Sequence, residues 1–297
     1  MNSTTLPEEQ PTETSTTTSK VWMNGELIDE SAAHISPFDH GLLTGDGVFE
    51  TLIAYGDQPF ASSLHWARLR RSAEVFGLDV PDDATLNAAC EQVIIANGIS
   101  PARVRVTITG GKAPLGSEQG DSGQTIVIAV GSLPGHGPQA DVITVPFPRN
   151  ERGATAGVKT ISYGDNVIAL SQAKAKGGSE AIFGNTQGHL CEGTGSNIFI
   201  VRDGQLITPP LDSGCLAGCT RAIILRICDE EGIAVNEEYT PLDELANVDE
   251  AFLTSTLREV QPIATVDGKP LPTINGEITQ RLAAAFRATA EKDNDPR

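Results

Sequence analysis

Apolar and polar positions alternate most cleanly over Ala102–Thr109. Ala102, Val104, Val106 and Ile108 share one face, while Arg103, Arg105, Thr107 and Thr109 share the other, the period of two that marks a half-buried strand. Val21–Ile28 reads as a hairpin turning at Asn24-Gly25, a pair suited to the positive φ angles of a tight turn. Val48–Ala54 and Thr125–Val130 read as further strands. Elsewhere the period becomes helical: Leu69, Ala73 and Phe76 mark one face of Ser63–Gly77, and Ala84–Asn97 predicts a second helix. Gly131–Asp141 (GSLPGHGPQAD) breaks the pattern with Gly and Pro and is expected to link two domains, 21–130 and 142–297. Beyond it come a strand at Val142–Pro146 and a helix at Asp165–Lys176. Four short strands follow, Glu180–Phe183, His189–Glu192, Asn197–Arg202 and Gln205–Thr208, the last two joined at Asp203-Gly204. Cys219–Glu231 predicts a helix, Glu250–Ser255 a strand and Glu277–Lys292 a closing helix. The order is α+β in two parts, not regular βαβ alternation.

Composition narrows the possibilities. Residues 1–20, rich in Thr, Ser, Glu and Pro, bury almost nothing and are expected to be disordered. The remaining chain, 39% hydrophobic overall, supports a sizeable core. Against 39 acidic residues stand 21 basic ones, a net charge of −18 that argues against nucleic-acid and anionic-membrane partners. No apolar run approaches the roughly 20 residues of a membrane span, and no basic-then-apolar leader opens the chain. Five scattered cysteines (Cys90, Cys191, Cys215, Cys219 and Cys228) favour a reducing cytoplasm over a disulfide framework. Cys215 and Cys219 lack companions at zinc spacing, so no metal is expected.

Candidate chemistry centres on one lysine. The short glycine runs Gly45-Asp46-Gly47 and Gly193-Thr194-Gly195 fall short of a nucleotide fingerprint, and no nucleophile elbow is present. Of seven lysines, Lys20, Lys174, Lys176, Lys269 and Lys292 read as solvated charge. Lys159 lies between apolar and hydroxyl neighbours in Ala156–Tyr163, just ahead of a helix. Such a lysine can serve as nucleophile or base.

Around Lys159 the motifs accumulate. Ser36-Pro37-Phe38-Asp39-His40-Gly41 and Gly45–Thr51 come first, then His65-Trp66-Ala67-Arg68-Leu69 and Gly157-Val158-Lys159. Glu192–Phe199 with Thr208-Pro209-Pro210, then Leu216–Arg221 with Thr254-Ser255-Thr256, complete the series. In this order they resemble the class-IV (fold-type IV) pyridoxal-phosphate enzymes: branched-chain and D-amino-acid aminotransferases and aminodeoxychorismate lyases. The resemblance runs from about Val21 to Arg287. It implies a small N-terminal α/β domain, a larger C-terminal β-barrel-like domain with helices, and a homodimer acting on a small-molecule amine. It further implies pyridoxal 5′-phosphate as cofactor, carried by Lys159, which becomes the base that moves the substrate proton once the substrate amine displaces it. Arg68, Cys219, Thr220, Ser255 and Thr256 would hold the phosphate; Glu192 would face the ring nitrogen and Tyr163 the phenolic oxygen. Cys219 is expected to contribute its N–H as a small buried residue.

Substrate-side positions divide the branches. Thr51 and Ile53 depart from the branched-chain pattern, and Thr109–Ser117 lacks the Arg-x-His of D-amino-acid enzymes. The run Ser36–Gly41 with Val48–Thr51 is most similar to aminodeoxychorismate lyases, implying release of pyruvate and 4-aminobenzoate. Either aminotransferase activity is the alternative. Phe49, Thr51 and Lys112 are expected at the substrate, with Arg105 a further cation in reserve.

Overall fold

The computed structural model describes residues 19–296. The expected tail therefore lies almost wholly outside the described residues. Lys20 is a correction, because it opens the first strand and pairs with Asp29 at 2.7 Å.

Two sheets organise the chain. The first comprises β1 (Lys20–Met23), β2 (Glu26–Asp29), β3 (Gly47–Ala54), β4 (Ala102–Thr109) and β5 (Thr125–Ser132). Its strands lie in the order β2-β1-β5-β4-β3 and every pair is antiparallel. A short helix, α1 (His40–Leu43), precedes β3, while α2 (Ser62–Phe76) and α3 (Asp83–Asn97) follow it. Asn24 and Gly25 adopt the positive φ angles that the hairpin needs. The alternation in β4 puts Ala102, Val104, Val106 and Ile108 wholly out of solvent. They pack with Val48, Leu52, Trp66, Leu69, Leu86 and Val93 into one core.

Local chemistry sets the helix ends. Asp82 caps α3 by accepting the Thr85 N–H at 2.7 Å, and Gly98 ends it with φ 61°. The start of α2 has no cap of its own; distant Asp295 accepts the Ser63 N–H at 2.9 Å.

The second sheet holds nine strands: β6 (Ala140–Thr144), β7 (Glu180–Gly184), β8 (Leu190–Gly193), β9 (Asn197–Arg202), β10 (Gln205–Thr208), β11 (Val235–Glu237), β12 (Glu250–Ser255), β13 (Glu259–Val266) and β14 (Lys269–Pro270). They run β11-β10-β9-β12-β13-β6-β7-β8, with β14 on β13. The helices α4 (Gly164–Ala175), α5 (Cys219–Glu231) and α6 (Glu277–Lys292) accompany them. One core of this half unites Phe199, Phe252, Ile223, Ile224 and Phe286 with Ile53 and Phe60 from the first half. β3 thus sends alternate side chains to two cores, which anchors it between the sheets.

The stretch predicted as linker is shorter than expected. β5 continues to Ser132 and β6 begins at Ala140, leaving 133–139 without regular structure. β13 carries no predicted strand, although it is central, because Pro262 sits inside it and Glu259 opens it with φ 54°. No helix among the described residues is long and apolar enough to cross a membrane. No group of His, Cys, Asp and Glu among them could hold a metal ion.

Candidate functional site

A cavity of about 660 Å³ opens between the two sheets, lined by residues from both halves. Its floor begins with β3. Gly47 has no room for a side chain, since a Cβ would meet the Ile108 carbonyl oxygen at 2.7 Å and the Ile161 side chain at 2.8 Å. This close approach lets the Lys159 segment lie along β3. The Phe49 N–H donates to the Lys159 carbonyl at 3.0 Å, and the Ile161 N–H donates to the Gly47 carbonyl at 3.0 Å. The Lys159 N–H donates to Ser72 Oγ at 3.1 Å. With its backbone pinned on both sides, the half-buried Lys159 reaches into the cavity. Its Nζ lies 3.5 Å from Tyr163 Oη and 4.4 Å from the Phe49 ring centre.

One end of the cavity is a buried charge cluster. Glu50, also on β3, is completely buried. It accepts Arg68 Nε on Oε1 and Arg68 Nη2 on Oε2, each at 2.7 Å, and its Oε2 lies 2.7 Å from His65 Nδ1. His65 and Arg68 are three apart on α2, so both project from one helix face toward the same carboxylate. Burial alone would raise Glu50, but Arg68 and His65 hold it well below the usual carboxylate range. Burial would lower His65, but the neighbouring Cys219 and Glu50 lift it to about 9. The same two partners keep Arg68 charged despite burial. Arg68 keeps Nη1 outside the carboxylate fork, where it donates to the Ala217 carbonyl at 3.2 Å.

Cys219 and Thr220 begin α5 beside this cluster. Gly218 is the N-cap and offers no side-chain acceptor, so the first N–H groups of a 13-residue helix face the cavity uncapped. Gly218 is required there, because a Cβ would collide with Asn197 Oδ1. Ser255 and Thr256 close the rim, with Thr256 Oγ1 3.4 Å from His65 Nε2. Thr254 Oγ1 is buried without a hydrogen-bond partner among the described residues. Burial would raise the Cys219 thiol, yet His65 and Arg68 bring it below its ordinary value.

Glu192 stands at the other end. Its Oε2 accepts the Leu216 N–H at 2.9 Å, and Arg149 Nε lies 3.1 Å from Oε1. Arg149 is held in turn by Asn166, through Nη1 to Oδ1 at 3.0 Å, and by stacking on Phe183 at 4.1 Å. Burial pushes Glu192 upward, and Arg149 opposes that only in part.

The structure brings Arg68, Lys159, Tyr163, Glu192, Cys219, Thr220, Ser255, Thr256, Phe49 and Thr51 to one cavity. Lys112 stands apart from them. It is exposed, bridges to Asp39 by backbone pairing, and is not among the lining residues. A loop after a strand carries no periodicity from which its direction can be read. Arg105 instead lies over the Phe49 ring at 3.8 Å and lines the cavity. Glu50, His65, Arg103 and Arg149 were not singled out individually. For the first two a signal exists: a carboxylate inside an apolar strand demands buried cations nearby.

Residues 47–266 match the model of the family described as amino-transferase class IV. A Methanocaldococcus jannaschii protein, named provisionally as a branched-chain-amino-acid aminotransferase, is 36% identical over 275 residues, covering 90% of this chain and 95% of its own. D-alanine aminotransferase of Bacillus licheniformis is 30% identical, covering 90% of this chain and 96% of its own. Among solved structures, the branched-chain aminotransferase of Thermoproteus uzoniensis with norvaline superposes with a TM-score of 0.83 at 33% identity, covering 91% of this chain and 94% of its own. A Legionella pneumophila structure, named provisionally as a 4-amino-4-deoxychorismate lyase, has a TM-score of 0.83 at 23% identity over 87% of this chain and 96% of its own, a likeness of fold.

Proposed function

Because the chain belongs to the class IV amino-transferase family, we propose that it is a pyridoxal-5′-phosphate enzyme that moves an amino group between an amino acid and a 2-oxo acid, with branched-chain amino acids among its donors. The observation that carries this reading is the single cavity joining Lys159, Glu192 and the Arg68 cluster. The donor set fits the cofactor. Uncapped α5 N–H groups, the orphan Thr254 hydroxyl and the Nη1 edge of Arg68 that lies outside the Glu50 fork suit a phosphate dianion. Relatives of known structure hold pyridoxamine 5′-phosphate and a phosphopyridoxyl-glutamate adduct.

When bound, the cofactor supplies an electron sink for negative charge at the substrate Cα. Lys159 would hold it through Nζ and, with that amine free, would serve as the base that takes the proton from the substrate Cα. Tyr163 Oη, at 3.5 Å, orients that amine. Glu192 would hold a proton at the ring nitrogen, and the Arg149 charge favours its ionised form there. Phe49 walls the substrate side and excludes water.

The relatives favour transamination over the lyase reading drawn from Ser36–Gly41 and Thr51. Both begin with the same proton removal, so the acceptor separates them. Cofactor-loaded protein is expected to turn over leucine many times only when 2-oxoglutarate is present, releasing glutamate. Steady 4-aminobenzoate release from 4-amino-4-deoxychorismate without any 2-oxo acid would reverse the assignment. Lys159→Ala should fold normally, lose the reducible protein–cofactor bond and lose roughly 10²–10⁴-fold or more in kcat. Retention of that bond would overturn the role given to Lys159.

A further inference from the structure

Five cysteines, all unpaired and buried, give the chain an internal comparison. Burial pushes the thiol of Cys90 up to about 12 and those of Cys215 and Cys228 up to about 11, and it raises Cys191 as well. Cys219 moves the other way, because its neighbours outweigh its burial. Cys219 is also the one cysteine that lines the cavity. A sealed thiol is inert, whereas a thiolate open to a cavity is a nucleophile.

The surroundings of its Sγ account for the difference. Glu50 Oε2 lies 2.7 Å from His65 Nδ1, and the Cys219 thiol hydrogen-bonds the same imidazole. Carboxylate, imidazole and thiol thus follow one another from β3 through α2 to α5. In that order the imidazole takes the thiol proton and the carboxylate holds the resulting ring charge. Arg68 adds a second cation from the same face of α2. Cys219 opens α5, where the backbone N–H groups favour a charged sulfur. An independent feature points to an anion in the same place. Thr254, 1% exposed, lines the cavity from β12, and its Oγ1 has no partner among the described residues.

We propose that Cys219, with His65 as its base and Glu50 behind it, is a nucleophilic modification site for small anions that carry an electrophilic carbon. Sγ attacks that carbon. The C–S bond forms as the bond to the leaving group breaks, the leaving group departs with the electron pair, and the thiol proton stays on His65. The anionic end of the ligand meets Arg68, the α5 N–H groups and the Thr254 hydroxyl. The proposal rests on the proposed function in one respect: the phosphate of a bound cofactor would fill this end of the cavity and shield the thiol.

The test compares two alkylating reagents of similar size, iodoacetate and iodoacetamide, on the full chain freed of cofactor and loaded with it. Peptide mapping by mass spectrometry locates the label. A thiolate in water prefers the neutral reagent, because its own charge repels the other. Here iodoacetate is expected to react severalfold faster, and to label Cys219 ahead of the other four cysteines. The half-rise of its rate with pH should fall below the ordinary thiol value of 9.0. Inorganic phosphate should slow the labelling in competition with iodoacetate. His65→Gln should slow it at neutral pH and return the half-rise toward 9.0. If that variant does not fold, the reagent preference and the peptide map of the parent protein decide alone. Faster reaction of Cys219 with iodoacetamide, or labelling that reaches Cys215 first, would overturn the proposal. So would a folded His65→Gln protein whose rate and pH profile match the parent's. If iodoacetate keeps its preference for Cys219 but the cofactor gives no protection, the placement of the phosphate fails and the thiol site stands.

Discussion

Two arginine sites border the same cavity and differ in one respect. Arg68 is locked to Glu50 by two 2.7 Å hydrogen bonds, beside His65 at 2.7 Å from the same carboxylate. Arg103 and Arg105 have no such partner. The first cluster is complete within the folded chain, so it costs no reorganisation when an anion arrives and presents one fixed edge. The second has no carboxylate partner among the described residues. One cavity is therefore bordered by a neutralised arginine and by two that are not.

The largest expected effect comes from breaking the complete cluster. Glu50→Gln keeps the shape but leaves Arg68 and His65 buried without their counter-charge. A loss of about 3–5 kcal/mol in urea unfolding is expected, as when one partner of a buried pair is removed. A loss below about 1 kcal/mol would mean the cluster is far better hydrated than its burial implies.

The next effect is titration. His65, lifted to about 9, contributes stability that is complete below its ordinary value of 6.5 and disappears as pH rises through about 9. Glu50, held low, contributes stability that is present above its ordinary value of 4.5 and disappears as acid protonates it. The urea midpoint should thus be highest between these limits and fall on both sides. In Glu50→Gln the alkaline fall should shrink, because part of the lift on His65 is gone. Arg103→Gln should leave the shape of this profile unaltered, which sharpens the contrast between the sites.

The smallest effect belongs to an exposed pair network. Arg202 bonds Glu238 at 2.6 Å and Glu244 at 2.9 Å, but all three are partly solvated. Arg202→Ala should cost less than about 1 kcal/mol, since water competes for each contact. A larger loss in the same urea assay would show that geometry matters more than burial.

Much of this was legible in the residues. β4 kept its predicted bounds because strict alternation leaves one register with its apolar face covered. α5 kept its bounds because Gly218 and Gly232 punctuate it. The phosphate-side and lysine motifs converge because each sits at the end of a regular element, where direction follows from the element itself. β13 was hidden by Pro262, and its place in the sheet depends in part on β6, far away in sequence. The placement of Lys112 outside the cavity was hidden for the converse reason: its loop takes its direction from Asp39 rather than from its own pattern. Arg149 was hidden because its meaning lies in Glu192, which is 43 positions away.

The proposed phosphate cup would draw on Arg68 from α2, Thr220 from α5 and Thr256 from the turn after β12, so one small molecule would touch both halves of the chain. A ligand bound only by the folded form adds about 2.7 kcal/mol at a hundred times its Kd. On the proposed function, the supply of cofactor would then govern more than catalysis: it would slow the opening of the folded chain and lengthen the survival of each copy against proteases.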